Sequence, residues 1–143
     1  MNHKIKEYLL LLIALLFGLI VAVVFAPKNN FFFGNFAYFW GPQAIIFLLI
    51  IVLRFRIGIL TGCAFILAIF LLVFHSWVFS HDRPEALVWI FYLFSFPGAG
   101  VGAILAGFFC KRYSLNNFQS IVFSALATFI GLFISLCIIV QQA

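Results

Sequence analysis

From Ile57 to Phe79 the chain runs without one charged side chain, and it does so again from Phe118 to Val140. Stretches of that length need a solvent that accepts apolar surface on every side. About 20 apolar residues make a helix long enough to cross the hydrocarbon core of a bilayer. Two further runs, Tyr8 to Ala26 and Ala86 to Phe109, meet the same requirement. Pro42 to Leu53 is short, unless Phe36 to Trp40 enters with it or Arg54 and Arg56 snorkel from its end. Composition agrees: 67% of residues are hydrophobic and 8% charged, where soluble domains carry about a quarter charged residues. The expected fold is an all-α integral membrane protein. Five transmembrane helices form one polytopic domain over residues 1–143, with spans at 8–26, 42–53, 57–79, 86–109 and 118–140.

Turn chemistry sets the boundaries. Pro27-Lys28-Asn29-Asn30 closes the first span. The aromatic stretch Phe31 to Trp40 suits the membrane interface, where rings anchor at head-group depth. Gly41-Pro42 is expected to open the second helix, since proline is favoured in a first turn. The N-terminus resembles a signal peptide, with Lys4 and Lys6 before an apolar run that ends at Ala26. That run exceeds the roughly 7–15 residues of a secretory segment, and Pro27 makes a poor cleavage site, so it reads as a retained span.

Five spans place Lys4, Lys6, Arg54, Arg56, Lys111 and Arg112 on one side and Lys28 and Arg83 on the other. Basic residues concentrate in cytoplasmic loops, which puts the N-terminus in the cytoplasm and the C-terminus outside. The net charge of +5 is interleaved with apolar runs and reads as topology, not nucleic-acid binding. Arg54, Arg56, Lys111 and Arg112 form a girdle able to meet anionic lipid head groups, at about 1 kcal/mol each. Orientation alone explains them more simply. A small Phe- and Ile-rich chain with tight loops resembles bacterial inner-membrane proteins broadly, and the expected location is the bacterial cytoplasmic (inner) membrane.

Helices in lipid associate through close contact at small residues. The first span carries Ala14, Gly18, Ala22 and Ala26, and the third carries Gly58, Gly62, Ala64 and Ala68. The fifth carries Ala127, Gly131 and Ser135. The fourth holds a notch, Pro97-Gly98-Ala99-Gly100-Val101-Gly102, and two stripes: Gly98, Gly102 and Ala106, and Ala99, Ala103 and Gly107. The second span is bulky all round. The expectation is a core of spans one, three, four and five, with span four at the centre and span two on the lipid side. The second stripe of span four packs internally, or meets another subunit or a partner protein.

Candidate chemistry is sparse. Pro97 frees the carbonyl of Leu93, and an interrupted helix at mid-depth is where transporters bind substrates, with Ser95, Thr61, Ser124 and Thr128 as possible hydroxyl ligands. No ionisable residue stands at that depth, which favours a packing kink. An outer cluster of His75, His81, Asp82, Arg83 and Glu85 contains metal-ligating types, but in no known ligand spacing. The simpler reading gives His75 a neighbouring hydroxyl and makes the rest a loop and helix cap. Cys63, Cys110 and Cys137 form no Cys-x-x-Cys pair, and Cys110 beside Lys111-Arg112 is a conceivable lipidation point. No nucleophile elbow, zinc helix or phosphate loop occurs, so no enzyme and no cofactor are expected. The expected function is helix–helix binding, as a subunit or accessory factor of a membrane complex or as an immunity-type protein, with a membrane-protein partner or a homo-oligomer. The alternative is a small transporter, channel or flippase component using the fourth span. A membrane enzyme of envelope lipid metabolism is less favoured.

Overall fold

A computed structural model of the chain describes residues 3–80 and 86–142. These form five helices: α1 (His3–Phe25), α2 (Phe32–Val52), α3 (Ile57–Phe79), α4 (Ala86–Arg112) and α5 (Asn117–Gln142). Each is long and apolar enough to cross a membrane. Large apolar side chains stand exposed on all five, among them Ile20, Ile51, Val73, Val101 and Ile130.

The second helix differs from expectation. It begins at Phe32, ten residues before Pro42, and at 21 residues it is long enough to span. Pro42 sits in its middle, not its first turn. The start comes from Asn29, whose side-chain oxygen accepts the Phe31 N–H at 2.9 Å. That turn satisfies an otherwise orphaned donor and hands the aromatic stretch to a helix.

Two helix ends share one device. Arg54 and Ser114, just past α2 and α4, have φ of 53° and 51°. The following amides reach five residues back: Phe55 N–H to the Ile50 carbonyl and Leu115 N–H to the Cys110 carbonyl, both at 3.2 Å. These are left-handed caps that close each helix and reverse the chain at once. α5 then opens on a reciprocal box, in which Asn116 Oδ1 accepts the Gln119 N–H at 2.8 Å and Gln119 Oε1 accepts the Asn116 N–H at 3.1 Å.

Packing follows the small residues. α4 and α5 run antiparallel in close contact: a Cβ on Gly98 would strike the Gly131 carbonyl, and one on Gly102 would strike the Ala127 carbonyl. α3 and α5 run parallel, with Gly58 against Asn117 and Gly62 against Ile121 and Ser124. α1 runs parallel to α3 through Ala14, Gly18, Ala22 and Ala26, all buried. α2 is the most loosely held, as its bulky sequence implies.

Two expectations need correction. The centre is α3, not α4: among the described residues α3 alone packs substantially against each of the other helices. The helix at α4 is also unbroken through Pro97. Both of its small stripes serve contacts within the chain, since Ala99, Ala103 and Ala106 are fully buried and Gly107 lies under the Phe55 ring. Cys110 is buried, at 1% exposure, which withdraws it as a lipidation point.

The glycines therefore divide by the space around them. Gly98→Ala and Gly131→Ala each force backbone apart and are expected to destabilise the protein by ~1–3 kcal/mol. Gly41→Ala meets nothing within 4 Å and is expected to be neutral. Reversible unfolding in mixed micelles measures both. Ser114→Gly removes a left-handed strain of ~1 kcal/mol and is expected to raise the midpoint of the same titration.

Candidate functional site

The expected site residues resolve into three places. The first is a buried polar and aromatic knot where α2 meets α4 and α3. Gln43, near the middle of α2, is fully buried, as is Tyr92 of α4. Tyr92 donates its hydroxyl hydrogen to the Phe39 carbonyl at 2.6 Å, and Tyr38 donates to the Trp89 carbonyl at 2.5 Å. The two tyrosines thus tie the parallel helices α2 and α4 by side chain to backbone in both directions. Gln43 Nε2 donates to the Phe39 carbonyl at 3.3 Å and lies 3.5 Å from the Tyr92 hydroxyl. Its Oε1 is buried without a hydrogen-bond partner, facing Gly18 of α1. Phe70 stacks on Tyr92 with an interplanar angle of 4° and closes the knot from α3.

His75 belongs to the aromatic end of this knot. Its ring stacks on Phe25 at 3.7 Å and on Phe79 at 4.3 Å. The expected hydroxyl partner is replaced by a sandwich of two rings, one from α1 and one from its own helix. His81, Asp82, Arg83 and Glu85 lie outside the described residues. Three of the hydroxyls considered as ligands turn back onto their own helices: Ser95 donates to the Tyr92 carbonyl at 2.6 Å, Thr61 to the Ile57 carbonyl at 3.0 Å and Ser124 to the Ile121 carbonyl at 3.0 Å, with the Gly58 carbonyl of α3 also 3.4 Å from Ser124, while the Thr128 hydroxyl is buried without a hydrogen-bond partner.

The second place is the surface of α4, which carries a cleft on each side. One cleft, of 470 Å³, lies between α2 and α4 and holds both prolines, Pro42 and Pro97, with Gly100 at its floor. Each proline lacks the N–H that would serve the carbonyl four residues back, at Tyr38 and Leu93. Gly100 stands apart from the other glycines of α4: the nearest atom to a Cβ there is Ile46 Cγ1 at 3.9 Å. The other cleft, of 650 Å³, lies between α4 and α5, and its floor includes Gly98, Gly102, Ala106 and Gly131.

The third place is the basic end. Phe55 packs its ring on Gly107 and edge-on to Phe108 at 5.2 Å. Arg56 donates to the Leu115 carbonyl. These contacts fasten the α2–α3 turn to the α4–α5 turn and gather Arg54, Arg56, Lys111 and Arg112 at one end of the bundle. Arg54, Lys111 and Arg112 are exposed.

The sequence reading missed Gln43, Tyr92 and Tyr38. Gln43 carried a signal, as the one polar side chain between Pro42 and Leu53. A buried amide in such a run marks a tie between helices. No family model, curated protein or solved structure matches the chain.

The knot makes an asymmetric prediction. Tyr92→Phe removes a donor from a dry site and is expected to lower stability by ~0.5–1.5 kcal/mol. Gln43→Met replaces an amide whose oxygen is already unpartnered, and is expected to be neutral or stabilising in the same unfolding titration.

Proposed function

We propose that this chain is a non-catalytic, multi-pass protein of the bacterial cytoplasmic membrane that acts by binding a helix of another membrane protein, as a subunit or accessory factor of a complex or as an immunity-type protein. The observation that carries this reading is the cleft between α2 and α4. Gly58, Gly62, Gly98, Gly102, Gly107 and Gly131 each have a contact within the chain that excludes a side chain. Gly100 has none, yet it forms the floor of an open apolar cleft near the middle of both helices. A glycine floor between bulky walls is what lets a second helix approach closely in a medium that gives no hydrophobic drive for association. The proline-freed carbonyl of Leu93 at the same cleft is an acceptor for a hydroxyl on the arriving helix.

Orientation follows from charge. Six of the basic residues outside the helix middles sit at the end where α1, α3 and α5 begin, which supports a cytoplasmic N-terminus and an external C-terminus. The transport alternative rests on Pro97 inside α4 together with Gly98, Gly100 and Gly102.

The test uses Gly100 in its native membrane. Gly100→Ala has room and is expected to leave the native complex unchanged. Gly100→Leu fills the cleft and is expected to release the chain from that complex on a native gel, with its own unfolding midpoint preserved. Migration that Gly100→Leu leaves untouched overturns the reading.

A further inference from the structure

The cleft between α4 and α5 differs from the one at Gly100 in its length, its position and its surroundings. It runs along α4 from Pro97 to Phe109. Twelve residues of helix at 1.5 Å each give ~18 Å. The hydrocarbon core is ~30 Å thick, so one leaflet is ~15 Å. The cleft therefore matches one leaflet and falls well short of a spanning helix. Its volume is 650 Å³ and Ser135 supplies its one side-chain polar group. The backbones of α4 and α5 meet at its floor, so its walls are the outer edges of the two helices: Val101 and Leu105 on one side, Ile130 and Ile134 on the other.

One end of the cleft lies in mid-bundle and the other reaches the basic end. There Phe109 and Phe123 stack at 4.5 Å, and Tyr113 lies 4.4 Å from Phe109. Residues three and four beyond Phe109 on a helix share its face, and these are Arg112 and Tyr113. Both are exposed, with exposed Lys111 beside them. The long axis thus runs from an open apolar trough to a shelf of rings and then to a cation and a phenol. An acyl chain followed by a phosphate presents the same order of chemistry over the same length.

We infer that the α4–α5 cleft is a binding site for an anionic glycerophospholipid of the leaflet at the basic end, with one acyl chain between Val101 and Ile130 and the head-group phosphate at Arg112. The site is separate from the Gly100 cleft and does not depend on the partner proposed there. Each cation at the membrane surface contributes about fivefold to the affinity for an anionic lipid. An acyl chain alone gives no preference between head groups.

The experiment is native mass spectrometry of the full-length protein released from mild detergent after titration with phosphatidylglycerol or phosphatidylcholine. Phosphatidylglycerol is expected to remain bound about fivefold more than phosphatidylcholine. Arg112→Gln is expected to abolish that preference. Ile130→Trp, at an exposed wall position, is expected to reduce retention of both lipids. Gly100→Leu is expected to change neither, which separates this site from the partner cleft. Equal retention of the two lipids by the unaltered protein overturns the head-group assignment. Retention unaffected by Ile130→Trp overturns the placement of the chain. A photo-crosslinker at Ile130 that captures polypeptide in native membranes, and no lipid, overturns the choice of occupant.

Discussion

The contact of backbone on backbone between α4 and α5 governs the rest of the architecture. At Gly98 and Gly131 each helix touches the main chain of the other, and neither position has room for a methyl group. In an apolar medium burial gives almost no drive for helices to associate, so van der Waals contact at this range is the main attraction left. The same arrangement recurs between α3 and α5 at Gly58 and Gly62. α5 is therefore held along two faces by carbonyl oxygens and small side chains. α2, which has no such stripe, is held instead by hydroxyl donors and stacked rings.

That difference in glue divides the molecule into a tight half and a looser half. Where backbones touch, the contact leaves a trough along its outer margin, because the larger side chains stand away from the floor. Where α2 meets α4, two prolines and a glycine leave a gap that the hydroxyls of Tyr38 and Tyr92 bridge only toward the aromatic end. Both surface clefts are thus by-products of how the helices attach, and each inherits a chemistry from its neighbours. One ends among cations and the other lies among apolar side chains at mid-depth.

Much of this was legible in the residues. Small amino acids repeated every fourth position identified the contact faces of α1, α3, α4 and α5, since few other causes place glycine and alanine at that interval in a run of Leu, Ile and Phe. The identity of the central helix was not legible. α3 is apolar all round, and a helix without a polar face offers no contrast between inside and outside. The start of α2 was obscured because an aromatic run reads equally as an interfacial belt or a helix, and only the side-chain turn at Asn29 decides between them. The continuity of α4 was obscured because proline removes one hydrogen bond, which a helix packed on both sides tolerates. The Gln43–Tyr92 knot joins residues nearly fifty positions apart, a relation that no local pattern encodes. The residues from 81 to 85 fall outside the described structure, and the outer polar cluster rests with them.

The position of α5 in the chain has a consequence for how the protein is made. It follows the other four helices in synthesis, and it supplies the surface against which both α3 and α4 close. Until it emerges, Gly58 and Gly62 on one helix and Gly98 and Gly102 on another present bare grooves to the insertion machinery and the surrounding lipid. α3 and α4 thus gain their shared partner surface only when α5 joins them.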